Sequence, residues 1–376
     1  MFDLQEALRR LVECGGSDLH LKVAARPLMR INGELGPVES ADALTPEDTE
    51  RVVREMLDDP SKLAEFAEEH EVDFAYSVSG LARFRVNAFR QRGSISLAIR
   101  AIPYGIQTVE ELILPPVITE LASEQRGIVL VTGTTGSGKS TTLAAMIDHI
   151  NTTEARHIVT IEDPIEFLHK DKRSVINQRE VGIDTASFRR ALRRVLRQDP
   201  DVILIGEMRD EETVQTALSA AETGHLVLST VHTVDAPETI NRIIDFFPPH
   251  QHSQARAMIA GTLKGIISQR LVPSVDGRIA ACEVLRMTGR VRDMIMDPTQ
   301  TGRLLEVVSE GTYYGMQTFD QHLFSHVKDG RVDLEEAMRS ATSPHDFKLM
   351  LAADGKRGTT MEDVGRTEAQ RAEVAA

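Results

Sequence analysis

The sequence predicts an α/β protein, in which a parallel sheet covered by helices follows a smaller α+β domain and precedes a helical C-terminal part. Between residues 117 and 285, short β-branched runs alternate with amphipathic helical patterns, which is typical of a mostly parallel sheet between two layers of helices. One of these runs leads into a glycine-rich loop and then into a helix, an arrangement suited to phosphate binding. The length of 376 residues also exceeds that of one typical domain.

The central part alternates regularly between strand and helix patterns. We predict strands at 127–132, 157–161, 202–206 and 226–230, and helices at 141–150, 187–197, 211–223 and about 254–268. In a sheet of this kind, ligands bind beyond the carboxyl ends of the strands. Functional residues are therefore expected directly after the predicted strands.

The flanking segments follow other patterns. Residues 1–100 predict a small α+β domain, because a helical stripe is followed by short strands and then by a hairpin near 82–100. Residues 101–116 contain three prolines and a glycine and predict a linker. Helical patterns occupy 286–352, whereas the charged and polar residues 353–376 predict a disordered tail.

The segment after the first strand of the sheet fits a phosphate-binding loop at every position. Residues 133–140 read GTTGSGKS and match the pattern GxxxxGK[ST]. Glycines let backbone N–H groups surround phosphate oxygens, and the helix that follows adds the positive end of its dipole. The predicted phosphate contacts are Gly133, Thr134, Thr135, Gly136, Ser137, Gly138, Lys139, Ser140 and Thr141. Lys139 is expected to reach the β- and γ-phosphates and Ser140 to bind Mg²⁺, which predicts binding of a nucleoside triphosphate.

Carboxylates follow two of the other predicted strands. Glu207 follows the third strand and is the candidate general base, or the residue that orients the attacking water. A surface ion pair with Arg209 is its alternative role. Glu162, Asp163 and Glu166 follow the second strand and suit Mg²⁺ bound through water, although a solvated acidic turn is equally open.

Basic and imidazole side chains complete the set of candidates. His232 follows the last predicted strand and is a candidate sensor of the γ-phosphate, with a purely structural role as the alternative. Arg83, Arg85 and Arg100 lie on the N-terminal hairpin, where they alternate with apolar residues and form one basic face. Arginine forks suit phosphate charge, and an arginine supplied by another subunit accelerates hydrolysis. A solvated strand face is the alternative for these three residues.

Composition disfavours several classes of protein. The formal net charge of −14 argues against nucleic acid as the main partner. No apolar run approaches the ~18 residues of a membrane span, and the N-terminus lacks the pattern of a secretory signal. Cys14 and Cys282 are the two cysteines, so neither a disulfide framework nor a four-cysteine zinc site is expected. These features predict a cytoplasmic protein.

Four motifs together resemble the secretion ATPase superfamily. They are GTTGSGKSTT at 133–142, IEDPIEF at 161–167, GEMRD at 206–210 and TGHLVLSTVHT at 223–233. Five further segments are similar to the PilT-type type IV pilus retraction ATPases within it, namely SDLHL at 17–21, ARFRVNAF at 82–89, NQREVG at 177–182, AAETGHL at 220–226 and GMQTFDQ at 315–321. The resemblance extends from about residue 15 to about residue 351.

The resemblance implies a fold and an activity. It implies a RecA-like P-loop ATPase core at 117–285 with a PAS-like domain at 1–100, assembled into a homo-hexameric ring. Such a ring would hydrolyse ATP with Mg²⁺ to power pilus retraction and twitching motility. It would lie in the cytoplasm, peripheral to the inner face of the cell membrane. An inner-membrane pilus platform protein and a paralogous pilus ATPase are the implied partners.

The resemblance also implies roles for individual residues. Glu207 matches the catalytic glutamate, Glu166 or Glu162 the Asp-box carboxylate, and His232 the histidine that senses the γ-phosphate. Arg85 and Arg100 match arginines that act on the site of a neighbouring subunit.

One segment departs from the family pattern. Residues 290–297, RVRDMIMD, align with a C-terminal motif that resembles AIRNLIRE; Arg292 is kept, but Met296 replaces the second arginine. This departure leaves the hydrolytic residues intact and weakens the expectation of coupling to a pilus. Two alternatives therefore stay open, a PilU-like accessory retraction ATPase and a nucleotide-gated scaffold ring with little hydrolysis of its own.

Overall fold

The computed structural model describes residues 2–31, 33–38, 41–102 and 105–358. It divides into two compact units, one made of Met1–Gly105 with Glu166–Leu168 and the other of Ile106–Ile165 with His169–Ala376. Each unit has its own sheet. Most of the predicted tail, residues 359–376, lies outside the described residues.

The N-terminal unit is an antiparallel sheet covered by helices. Its elements are α1 (Leu4–Glu13), β1 (Asp18–Lys22), β2 (Leu28–Ile31), β3 (Glu34–Pro37), α2 (Pro46–Met56), α3 (Pro60–Glu69), β4 (Glu71–Val78), β5 (Ala82–Gln91) and β6 (Ser94–Ile102). The strand order is β3-β2-β1-β6-β5-β4. Leu8 of α1 packs in one apolar core with Leu19, Phe84 and Ile99 of the sheet. Pro60 starts α3, because a proline at the first helical position has no N–H to leave unpaired.

The C-terminal unit is an α/β sandwich. Its elements are α4 (Val117–Ala122), β7 (Gly127–Thr132), α5 (Lys139–Thr153), β8 (His157–Glu162), β9 (Val175–Glu180), α6 (Phe188–Val195), β10 (Val202–Ile205), α7 (Glu211–Glu222), β11 (Leu226–Val231), α8 (Ala236–Asp245), α9 (His252–Thr262), β12 (Leu263–Ser274), β13 (Gly277–Arg286), α10 (Gly289–Met296), α11 (Leu304–Glu310), α12 (Phe319–Lys328), α13 (Leu334–Ser340) and α14 (Pro344–Gly358). The strand order is β13-β12-β7-β11-β10-β8-β9. Neighbouring strands are parallel except β12 and β13. Apolar cores cover both faces of the sheet.

The four predicted strands of this sheet lie within one residue of their expected bounds. Their β-branched residues are buried on both faces, and a parallel strand between two helical layers needs such a continuous apolar run. The α14 helix extends to Gly358, into the first residues of the segment for which disorder was predicted. No helix in the described part of the chain is long and apolar enough to cross a lipid bilayer.

The prediction of a single helix over residues 254–268 was wrong. The α9 helix ends at Thr262, and β12 begins at the next residue without an intervening glycine or proline. From Leu263 the chain pairs in parallel with β7, although the register shifts once before Gly265. Tertiary pairing therefore decides the structure of a segment whose local pattern also fits a helix.

Two histidines on α12 attach the C-terminal helices to β13. The buried His322 accepts a hydrogen bond from the backbone N–H of Cys282 at its Nδ1 (3.0 Å), and His326 Nε2 donates to the carbonyl of Ala280 (3.1 Å). Burial, together with the neighbouring His326 and Arg331, lowers the pKa of His322 to about 3. Both rings are therefore neutral in the folded chain at pH 7.

We predict that this pair makes the fold sensitive to acid. Below the ordinary imidazole pKa of 6.5, the unfolded chain binds a proton at His322 that the folded chain does not bind. Between pH 6.5 and about 3, the free energy of unfolding should fall by up to about 1.4 kcal/mol for each pH unit on account of this residue. The free energy of unfolding, measured with denaturant between neutral and acid pH, should depend less steeply on pH in His322→Gln than in wild type. The amide oxygen of the glutamine can still accept from Cys282. Equal slopes for both proteins would contradict the prediction.

Candidate active site

Four parallel strands of the C-terminal unit end at the same edge of the sheet. Thr132 at the end of β7 lies opposite Val231 at the end of β11. Ile205 of β10 lies opposite Ile161 of β8. The backbone N–H of Gly206 then donates to the carbonyl of Ile161 (2.8 Å), which keeps the two chains together beyond β10. The predicted phosphate loop, His232 and Glu207 follow these strand ends, and Glu162 is the last residue of β8, so all four lie at the edge that their sequence positions predicted.

The phosphate loop leaves β7 through backbone conformations that favour glycine. Gly133 has a φ of 143°, Gly136 of 79° and Gly138 of 91°. A Cβ at Gly133 would clash with the backbone carbonyl of Gln269 and with the Ser137 hydroxyl. Gly138 caps the N-terminus of α5, and no side chain in the described residues fills that cap. The N–H groups of the first turn of α5 are thus available to an anion.

Lys139 is held inside this loop. Its side chain is 8% exposed, and its Nζ donates to the carbonyls of Gly133 (2.8 Å) and Thr134 (3.0 Å). Ser140 and Thr141 are half-buried beside it, while Thr134, Thr135 and Gly136 are exposed; Ser137 is buried. The loop therefore concentrates a positive charge and helix-terminal N–H groups at one place, which fits the phosphate groups of a nucleotide.

Two cavities flank the loop. The first, of about 390 Å³, lies between Gly133–Ser137 and the β12–β13 hairpin, from which Arg270 and Arg278 contribute. The second, of about 250 Å³, is lined by Gly138 and Thr141 together with apolar residues such as Leu112 and Ile279. Arg278 lines both cavities. A nucleotide whose phosphates occupied the first cavity would have an apolar space for its base in the second.

The sequence prediction missed Arg270 and Arg278 because it missed their hairpin. Arg278 is exposed, between the two cavities. The guanidinium of Arg270 stacks on the ring of Phe319 at 4.1 Å and donates to the Thr342 hydroxyl (3.1 Å). Arg270 therefore connects the phosphate cavity with the C-terminal helices of the same unit.

Glu207 and His232, predicted separately, are in contact. His232 Nε2 lies 3.2 Å from Glu207 Oε1, and the Glu207 side chain is 19% exposed. Arg209 also binds this carboxylate, since its Nε donates to Oε2 at 2.7 Å. The hydrogen bond to Glu207 raises the pKa of Arg209. The ion pair with Arg209, the alternative role of Glu207, is therefore present, while its catalytic role stays a prediction.

The two candidate Asp-box carboxylates differ in their surroundings. Glu162 is half-buried and accepts hydrogen bonds from the Thr160 hydroxyl (2.6 Å) and from Gln178 Nε2 (3.2 Å). Glu166 is exposed and belongs to the N-terminal unit. The described residues contain no cluster of three His, Cys, Asp or Glu side chains suited to a metal ion. Magnesium in a P-loop site binds substrate oxygens and waters, so ligation by Ser140 with either carboxylate stays a prediction.

The arginines of the N-terminal hairpin lie on β5 and β6. Arg85 and Arg100 are directly opposite each other in the antiparallel ladder, and both are exposed. Arg100 Nε donates to Asp18 Oδ1 (2.8 Å). Arg83, on the same strand as Arg85, is half-buried. The antiparallel pairing of β5 with β6 thus places Arg85 and Arg100 side by side, while their action on a nucleotide stays a prediction.

Comparison with known proteins identifies the family. Residues 115–278 match the family model described as type II/IV secretion system protein. The chain is 43% identical to the type IV pilus ATPase PilU of Pseudomonas aeruginosa, over 93% of this chain and 91% of that protein. It is 42% identical to the type IV pilus retraction ATPase PilT of the same organism, over 92% of this chain and 100% of that protein. This chain belongs to the PilT-type family of type IV pilus ATPases.

Solved structures of PilT-type and related ATPases have the same fold. The pilus retraction motor PilT with bound ADP superposes with a TM-score of 0.85 at 44% identity, covering 92% of this chain and 99% of that structure. The Legionella pneumophila ATPase DotB gives a TM-score of 0.74 at 28% identity, with coverages of 93% and 95%. The predicted family, the predicted fold class and the predicted enzyme class, a P-loop ATPase, are therefore confirmed.

We predict unequal effects of alanine at two glycines of the phosphate loop. Gly133→Ala should lower the free energy of unfolding by about 3 kcal/mol, because the new Cβ meets the Gln269 carbonyl and the backbone conformation is strained. Gly136→Ala is the matched control; its Cβ meets no atom of the described residues within 4 Å, so only the left-handed conformation costs about 1 kcal/mol. Denaturant unfolding measures both, and equal losses would show that the close approach at Gly133 is wrong.

Proposed function

We propose that this protein is a cytoplasmic motor ATPase that hydrolyses ATP to power type IV pilus retraction and thereby twitching motility. One observation carries the proposal. The phosphate loop, the Glu207 carboxylate and the His232 imidazole share one edge of the sheet, with Glu207 and His232 3.2 Å apart. This arrangement occurs in a chain that is 44% identical to a solved pilus retraction motor.

The phosphate loop would bind the triphosphate. Backbone N–H groups of the loop and of the first turn of α5 would donate to phosphate oxygens. Lys139 would exchange the carbonyls of Gly133 and Thr134, to which it donates, for the β- and γ-phosphates. Arg278 would approach the phosphates from the opposite wall of the cavity, and the base would occupy the apolar space beside Thr141.

Hydrolysis would use the pair at the strand ends. Glu207 would release Arg209, orient a water against the γ-phosphorus and accept its proton as the new P–O bond forms. The bond between the γ-phosphorus and the bridging oxygen breaks, and ADP leaves with the electron pair. His232 Nε2 would exchange Glu207 for a γ-phosphate oxygen and report whether that phosphate is present. When bound, Mg²⁺ would be held by Ser140 with Glu162 or Glu166 through water, and would neutralise phosphate charge.

We propose that the active unit is a homo-hexameric ring in which the site is shared. Arg85 is exposed, and the phosphate cavity of the C-terminal unit contains no acidic side chain among its described lining residues. An arginine from the next subunit would therefore meet substrate charge without competition from a carboxylate. Arg100 would act beside Arg85 after it exchanges Asp18 for phosphate. Identical head-to-tail contacts of this kind form a ring when the rotation between neighbouring subunits closes, as the proposed hexamer requires.

The ring would bind a pilus platform protein at the inner face of the cell membrane.

A second candidate function is that of a PilU-like accessory ATPase, favoured by the 43% identity to PilU over 93% of the chain. A scaffold ring with little hydrolysis is the third, and it is motivated by Met296, which is 47% exposed at the end of α10 where the family motif has an arginine. Pilus retraction in cells that produce this protein as their sole retraction ATPase supports the first function; retraction only beside a paralogue supports the second.

We predict that two inactive variants restore activity when mixed. Arg85→Ala should bind ATP and lose about 1,000-fold in kcat, because charge on the transferred phosphoryl group is no longer stabilised. Glu207→Gln should likewise bind ATP without turnover. In mixed rings, an Arg85→Ala subunit supplies an intact Glu207, while its Glu207→Gln neighbour supplies the intact Arg85. Steady-state ATP hydrolysis should therefore recover to roughly a quarter of the wild-type rate in an equal mixture.

The control is the double variant Arg85→Ala with Glu207→Gln, mixed with either single variant. Each of these mixtures lacks either every intact Arg85 or every intact Glu207, so no interface has both groups and both mixtures should stay inactive. Subunit exchange between the two single variants must first be verified. If their mixture is then inactive while wild-type protein is active, Arg85 does not act on a neighbour.

A further inference from the structure

A buried carboxylate lies in the sheet behind the proposed active site. Glu283 of β13 is 2% exposed. It lies opposite Ser268 of β12, which in turn lies opposite Thr132 of β7, and Thr132 lies opposite Val231 of β11. Three polar side chains therefore follow Val231 in one row across four strands, and each of them is buried.

Two members of this row adjoin segments of the proposed active site. Thr132 directly precedes the phosphate loop, and Val231 directly precedes His232. At the far end, Glu283 Oε1 accepts a hydrogen bond of 2.9 Å from the backbone N–H of Ala236. Ala236 is the first residue of α8, four positions after His232. The short turn that carries His232 is thus held by β11 on one side and by Glu283 on the other.

Glu283 differs from the other acceptors at this helix start. Asp235 caps α8 by accepting from the N–H of Glu238, and Glu238 accepts from the N–H of Val234. Both of these carboxylates move with the turn itself, because they are part of it. Glu283 is on a different strand, so its hydrogen bond fixes the turn to the sheet that also carries the phosphate loop. Removal of the acceptor would leave the buried N–H of Ala236 unpaired, which destabilises the folded turn.

We propose that Glu283 is a positioning residue for His232, which it holds at the phosphate loop through the amide of Ala236, and that ATP hydrolysis depends on the charge of Glu283. This inference rests on the proposed hydrolytic role of Glu207 and His232. An ionised carboxylate accepts a stronger hydrogen bond than a neutral one and also interacts favourably with a helix N-terminus. The ionised form is therefore the one that fixes the turn.

The charge of Glu283 changes near neutral pH. Burial raises its pKa to about 7, against the hydrogen bond from Ala236, which lowers it. Of the charged side chains nearby, Asp235 raises the pKa and Arg270 lowers it. Arg270 also lines the phosphate cavity. The same carboxylate is therefore linked to the helix after His232 and, through Arg270, to the cavity that would receive the phosphates.

The test compares pH profiles of Mg²⁺-dependent ATP hydrolysis for wild type, Glu283→Gln and the control Glu238→Gln. Wild-type kcat should rise about fivefold as the pH increases through 7, because Glu283 becomes ionised. Glu283→Gln is isosteric and neutral, so it should keep KM within about twofold and show the low kcat without this rise. Glu238→Gln removes a carboxylate that is exposed at the same helix start, and it should keep the wild-type rise.

A second measurement does not depend on activity. Amide hydrogen exchange of the peptide that covers Val231–Ile240, corrected for intrinsic rates, should be about fivefold more protected in wild type above pH 7 than below it. Glu283→Gln should show the lower protection on both sides. An unchanged pH profile of kcat and unchanged exchange in Glu283→Gln would overturn the inference. Absence of hydrolysis in wild type would instead contradict the proposed function, while exchange would still decide whether Glu283 holds the turn.

Discussion

The parallel register of four strands is the constraint on which the rest of this site depends. Thr132 is level with Val231, and Ile205 is level with Ile161, so the chain leaves β7, β8, β10 and β11 at one edge. Each exit carries one chemical group, namely a phosphate-binding loop, an Asp-box carboxylate, Glu207 and His232. None of these groups is close to another in sequence, and only the hydrogen-bonded ladder brings them together. A shift in register would separate Glu207 from His232 while leaving every motif intact.

Much of this arrangement follows from the sequence because buried parallel strands have an unambiguous pattern. The β-branched runs defined β7, β8, β10 and β11 within one residue, and the rule that ligands bind beyond strand ends then selected Glu207 and His232. The β12–β13 hairpin escaped prediction because Leu263 follows a helix directly, and its strand conformation depends on pairing with the distant β7. Everything carried by that hairpin was missed with it, including Arg270, Arg278 and Glu283.

The structure also shows why single residues are hard to assign from a pattern. Glu207 was open to two roles, catalysis or pairing with Arg209; the structure contains the pairing and a contact with His232, while the catalytic role stays a proposal. Lys139 similarly donates to two carbonyls of its own loop. In each case the charged group has partners within the protein, which avoids a buried unpaired charge. The proposed roles would require both groups to exchange these partners for substrate or water.

The most direct test of the account is the specific ATPase activity of the wild-type protein as its concentration is raised through assembly. If the site is completed by a neighbouring subunit, activity per chain should rise steeply with concentration and then reach a plateau, in parallel with the mass measured by light scattering. Glu207→Gln should assemble over the same range and stay inactive. Activity per chain that is independent of assembly, or that is unaffected by the loss of the Glu207 carboxylate, would contradict the account.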